Sequence, residues 1–193
     1  GYVGSFCAYE GIDVLLNACE QLVAQGEHIK LLLVGDDQPL TETADAAKAL
    51  ADKPWLIQVG RVPHSEVADY YALIDTVVIP RKKLRVCELV PPIKIVEALA
   101  YGKRLVVSDV AALLQYEQKH DSVLAFEADK VESLVPAIQV SLEMPASKAK
   151  AGIMFSAYAE YMAKMFEGKD VGEVQAQPLT APQAAPLLVS ESV

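Results

Sequence analysis

Long apolar runs are missing from this 193-residue sequence. No stretch approaches the ~20 residues that a membrane-spanning helix needs, so no transmembrane segment is expected. Cysteine is scarce: Cys7, Cys19 and Cys87 are an odd number at no metal spacing. That argues against a disulfide scaffold and for a reducing, cytoplasmic setting. Positive charge is in deficit, with 17 Lys and Arg against 26 Asp and Glu and a net charge of −9. An acidic balance excludes general nucleic-acid or anionic-membrane binding as the main function, although a local basic loop can still take a phosphate. The histidines, His28, His64 and His120, fall on separate elements without metal spacing, and none is expected to be catalytic. No acidic metal motif is present, so no metal is expected.

What is present is a chain 52% hydrophobic and 22% charged, enough for one good-sized α/β domain with a real core. Gly1–Phe6 reads as a strand. Helical spacing of Ile12, Leu15, Leu16, Cys19, Leu22 and Val23 predicts a helix over about 12–25, stopped at Gly26. Ile29–Val34 and Trp55–Val59 read as strands, with an Ala-rich helix near 41–52 between them. A helix at 64–74 should bury Val67, Tyr70, Tyr71 and Ile74. Strand 76–79, helix 92–101, strand 105–108, helix 110–118, strand 122–126 and helices 130–142 and 147–166 complete the series. Tyr158, Tyr161, Met162, Met165 and Phe166 form an apolar face of the last one, read as core packing. Strands that are apolar throughout and alternate with helices specify a Rossmann-like, three-layer parallel sheet of about six strands, covered on both faces. Such sheets bind ligands outside the carboxyl ends of their strands. Residues 1–168 are read as this domain, and the Gln, Ala and Pro-rich 169–193 as a tail or linker. The chain opens mid-strand without Met and is expected to be a piece of a longer protein.

The most informative stretch runs from Arg81 to Gly102. Strand 76–79 ends at Pro80, and Arg81, Lys82, Lys83 and Arg85 follow. Then come Glu88, Pro91, Pro92, Lys94 and Glu97. Proline is tolerated in a first helical turn, which places a helix start just after Glu88. Lys94 then sits in a first turn, where the macrodipole disfavours a cation. A cation there makes sense if an anion from elsewhere joins it. The free N–H groups expected at Leu89, Val90 and Ile93 would add donors for a diphosphate, and a carboxylate can accept two sugar hydroxyls. Each feature has a plainer reading. The glutamates could be solvated, Lys94 an i, i+3 partner of Glu97, and the basic run a surface face from which one or two residues reach phosphate. Arg61, after the third strand, could contact a base or be an ordinary surface arginine. Ser108 and Asp109 have no base positioned to make a nucleophile.

Gly4-Ser-Phe-Cys-Ala-Tyr-Glu-Gly-Ile-Asp13, Leu31–Gly35, Val59-Gly-Arg-Val-Pro-His64, Tyr70–Asp75 and Glu88–Ala100 occur in order. Together they resemble the carboxy-terminal half of the "glycosyl transferases group 1" proteins over about residues 1–140. The resemblance implies one half of a GT-B enzyme: the donor-binding domain of a retaining, hexosyltransferase-type glycosyltransferase. Its donor substrate would be a nucleotide-diphosphate sugar and no cofactor is implied. A separate amino-terminal domain would hold the acceptor, so this piece alone should transfer nothing. It also implies roles: Glu88 against the transferred sugar, Glu97 on the ribose, Leu89 and Val90 amides on the diphosphate, Arg61 and Val62 beside the base. Three departures stand out. Eight residues rather than seven separate the glutamates, Glu10 stands where a lysine is usual, and Ala111 and Ala112 replace glycines. Phosphate charge would then fall to Lys94 with Lys82, Arg85 and their neighbours. The alternative is a catalytically silent GT-B-like interaction or regulatory module. An epimerase of the same architecture would need acids and a histidine that are not placed here.

Overall fold

A computed structural model of the chain describes residues 1–35 and 52–145. The chain divides into two units, Gly1–Lys150 and Ala151–Val193, and the described residues all belong to the first. The helices expected near 41–52 and 147–166, the aromatic face of the latter, the boundary at 168 and the tail at 169–193 lie outside them.

The strands are β1 (Tyr2–Gly4), β2 (Leu31–Gly35), β3 (Leu56–Val59), β4 (Thr76–Ile79), β5 (Arg104–Ser108) and β6 (Val123–Phe126). The helices are α1 (Ile12–Ala24), α2 (Val67–Leu73), α3 (Arg85–Leu89), α4 (Ile93–Ala100), α5 (Ala111–Glu117) and α6 (Val131–Glu143). All pairings are parallel, in two three-stranded ladders, β1-β2-β3 and β4-β5-β6. Gly1 joins them: its nitrogen donates to Thr76 O at 2.7 Å, and the Val78 N–H donates to its carbonyl at 2.9 Å. The combined order is 3-2-1-4-5-6, with a reversal between β1 and β4, the place where a doubly wound sheet opens its ligand crevice.

Burial explains why these segments pair. Every residue of β4 is buried, as an apolar strand covered on both faces should be. One core cluster joins Leu15, Ala18 and Leu22 of α1 with Leu134, Val135 and Ile138 of α6 over Leu33, Val78, Val106 and Phe126. Leu105 and Val107, on the opposite side of the pleat from Val106, are equally buried. Of the four residues expected to face inward from the segment 64–74, Tyr71 and Ile74 are buried, whereas Val67 and Tyr70 are only partly so. Arg104 closes the far end of α6, donating to the Leu142 and Met144 carbonyls at 2.9 and 2.8 Å. A cation suits a helix carboxyl terminus.

The segment after β4 differs from expectation. Instead of one helix starting after Glu88, two appear: the five-residue α3, which contains Glu88, and α4, which starts at Ile93. A residue before proline is pushed out of the helical region. Val90 precedes Pro91 and is extended, with ψ 107°; Pro92, the residue before the first turn of α4, is extended as well, with ψ 143°. The pair of prolines therefore separates two helices rather than occupying one helix's first turn.

Candidate functional site

The carboxyl ends of β1 and β4 meet around a buried ionic cluster. Glu10 comes from the loop after β1, in a short 3-10 turn, Ala8–Glu10, and is 2% exposed. Its Oε1 accepts from Arg81 Nη2 at 3.0 Å, and its Oε2 accepts from Lys94 Nζ at 2.8 Å. Arg81 also donates to Val90 O at 2.8 Å. Lys94 donates to the Tyr2 hydroxyl at 2.5 Å, which in turn donates to Ser5 O at 2.7 Å. Both cations are 8% exposed. Two close approaches shape the cluster. A Cβ on Gly4 would lie 2.9 Å from Lys94 Nζ, and one on Gly11 would lie 1.9 Å from Pro80 O.

Burial alone would raise the Glu10 carboxyl, but the Lys94 ammonium and Arg81 guanidinium hold it below the usual glutamate range. Lys94 is displaced downward, first because burial disfavours its ammonium and despite the attraction of Glu10. The sign for Glu10 is that of a depressed carboxylate. Its stabilising effect is complete above the unfolded pKa and is lost as pH falls through the folded one. Melting temperature is therefore expected to fall as pH drops below ~4.5, and Glu10→Gln should flatten that acid limb. A limb equally steep in the variant would assign it to other carboxylates, such as Asp109. That group also lies below the usual range: burial opposes its ionisation, but the Ala128 N–H and Lys83 favour it.

The predicted residues take these places. Lys94 lies in the first turn of α4, and the anion that joins it there is Glu10, supplied by the chain itself. Glu88 accepts from the Ala111 N–H at 2.6 Å, capping α5, whose N-cap residue Val110 has no side-chain cap of its own. Glu97, half-buried on α4, accepts from the Tyr71 hydroxyl at 3.3 Å. Leu89 ends α3 and is exposed. The N–H expected to be free at Val90 instead donates to Val86 O at 3.1 Å, because Val90 closes α3 rather than opening a helix. Lys82 pairs with Asp13 at 2.8 Å and Lys83 with Asp109 at 3.1 Å. Arg85 is exposed at the start of α3, and Arg61 and Val62 follow β3 on the same edge of the sheet. Ser108 Oγ, at the end of β5, is buried without a hydrogen-bond partner among the described residues. Among those residues no cluster of His, Cys, Asp or Glu is placed to hold a metal, and no helix is long and apolar enough to cross a membrane.

The sequence shows neither Tyr2 nor the pairing of Arg81 as parts of the site, and it gives Tyr71 only as a core residue. A signal for the cluster did exist: a glutamate where the resemblance leads one to expect a lysine calls for compensating cations.

The model of the family described as "Glycosyl transferases group 1" matches residues 1–143. The chain belongs to that family. No curated protein matches the chain significantly. Solved structures share the fold of this group 1 domain. A sucrose-phosphate synthase from Thermosynechococcus elongatus aligns with TM-score 0.60 and 24% identity, over 86% of this chain and 44% of its own. A glycosyltransferase from Rickettsia africae aligns with TM-score 0.59 and 16% identity, over 73% and 36%. Anabaena HepE, solved in complex with UDP and glucose, aligns with TM-score 0.56 and 19% identity, over 74% and 38%. At these identities the likeness is one of fold, the GT-B Rossmann-like half. The chain spans less than half the length of each of these three proteins.

Proposed function

We propose that this domain binds the nucleotide-diphosphate sugar of a retaining, hexosyltransferase-type glycosyltransferase, and that a domain preceding it holds the acceptor. The observation that carries the reading is the family match over residues 1–143, which takes in both glutamates. Its support is the gathering of Arg81, in the loop directly after β4, with Glu88 on α3 and Lys94 and Glu97 on α4, beside the strand-order reversal. HepE, of the same fold, was solved with UDP and glucose. In this mechanism Glu97 takes the ribose hydroxyls and Glu88 orients the transferred sugar. Arg81, Lys94 and the start of α4 carry the positive potential that steadies the departing diphosphate. Arg61 and Val62 flank the base, Leu89 and Val90 line the diphosphate, and Lys82 and Arg85 add charge at the rim. No metal takes part in this scheme, which is set in the cytoplasm.

Binding is tested by calorimetry with UDP, GDP and ADP. At a hundred times Kd a bound diphosphate stabilises the fold by about 2.7 kcal/mol, a rise in melting temperature of roughly 5–10 °C. Glu97→Ala should weaken that binding about tenfold or more, the worth of hydrogen bonds to a charged group. Failure of all three diphosphates to bind would refute the donor-binding reading. One observation favours a second reading, a catalytically silent module: Glu10 already engages both Arg81 and Lys94. That module would show no donor-dependent shift in melting temperature.

A further inference from the structure

Tyr71 falls on the inward side of α2 and is 0% exposed, the position of a core residue. A buried phenol nonetheless needs a partner for its hydroxyl, and the acceptor it reaches is Glu97 Oε2 on α4, at 3.3 Å. The same ring stacks on Tyr101, at the carboxyl end of α4, with centroids 4.8 Å apart and planes at 27°. Glu97 and Tyr101 are four residues apart and share a helix face. Tyr71 therefore touches that face twice, and the stack fixes the plane in which its O–H points. Burial, reinforced by the nearby Glu97 charge, pushes the Tyr71 hydroxyl well above the ordinary tyrosine range. It stays protonated and can only donate to the carboxylate.

A carboxylate with one oxygen held no longer rotates freely, while among the described residues Oε1 and the second lone pair of Oε2 remain open as acceptors. We propose that Tyr71 is a positioning residue for Glu97, aiming its carboxylate at the ribose hydroxyls and so setting the preference for ribose over a sugar lacking them. The proposal rests on the donor-binding reading above. It differs from a packing role because it acts on one part of the ligand only.

The test measures Kd for UDP, GDP and ADP, and for the 2′,3′-dideoxy form of each that binds, with the unaltered protein and Tyr71→Phe. The substitution removes one oxygen and leaves the ring and its stack in place. Tyr71→Phe should weaken the ribose form roughly 3- to 10-fold, the range of one hydrogen bond, and leave the dideoxy form unchanged. An equal loss for both forms would mark a packing role and overturn the proposal, as would no loss at all. In a Glu97→Ala background the effect on ribose preference should vanish, since two residues acting through one contact are not additive. A persisting effect would also overturn it. If no diphosphate binds the unaltered protein, the donor-binding reading itself falls and takes this proposal with it. If binding with ribose preference is intact but insensitive to Tyr71→Phe, only this proposal falls.

Discussion

Glu10→Gln is expected to cost the fold about 3–5 kcal/mol, the usual result of removing one partner from a buried ionic group. The charges in the cluster are unequal: Arg81 and Lys94 share the one carboxylate of Glu10. Without it, two buried cations face each other with no anion between them. Without Lys94, in contrast, Arg81 and Glu10 remain as a matched pair. Lys94→Met keeps most of the volume and should change stability by only about 1 kcal/mol, since buried pairs often tolerate apolar replacement. Urea unfolding of both variants checks the asymmetry. A Glu10→Gln cost below that of Lys94→Met would show that the charge count is the wrong description. The same asymmetry makes Lys94→Met, rather than an alanine, the clean variant for asking whether Lys94 contributes to donor affinity.

The second large effect is expected at Gly11. This residue has φ 72° and stands between the loop carrying Glu10 and the first turn of α1. A side chain there incurs left-handed backbone strain of about 1–2 kcal/mol. It also puts a Cβ 1.9 Å from Pro80 O and 2.9 Å from Pro80 C, both backbone atoms that cannot swing aside. Gly11→Ala should therefore lower stability by about 3 kcal/mol, or roughly 6–12 °C in melting temperature. A loss under ~1 kcal/mol would mean that the β1 loop and the end of β4 separate easily. Because Pro80 leads directly into Arg81, that outcome would also place the ionic cluster on a movable loop.

The legible parts of the fold were those written in local periodicity. Strand β4 appears where Thr76-Val-Val-Ile79 predicts it, and α1 where its apolar spacing places it. The segment between β4 and α4 departs from its sequence-based expectation because proline carries two rules at once. Tolerance in a first turn concerns the proline itself, whereas the restriction on the preceding residue decides where α3 must stop. The site was legible in kind but not in partnership. Lys94 at a helix start pointed to an incoming anion, yet 84 residues separate it from Glu10, and no local spacing rule spans that distance. Likewise the helical pattern placed Tyr71 inward correctly. It could not show that its hydroxyl would meet Glu97, because that contact depends on how α2 and α4 pack.

The backbone joint at Gly1 has a mechanical consequence. Tyr2 and Glu10 belong to the half built on β1-β2-β3, and Arg81 and Lys94 to the half built on β4-β5-β6. At the amino ends the halves are stitched by the two backbone bonds of Gly1. At the carboxyl ends the ionic cluster crosses the same seam. The seam is thus held at its amino end by peptide groups, and at its carboxyl end by the ionic cluster together with the Lys82 N–H, which donates to Tyr9 O at 2.9 Å. Of the two ends, the carboxyl one is where the hold depends on charge.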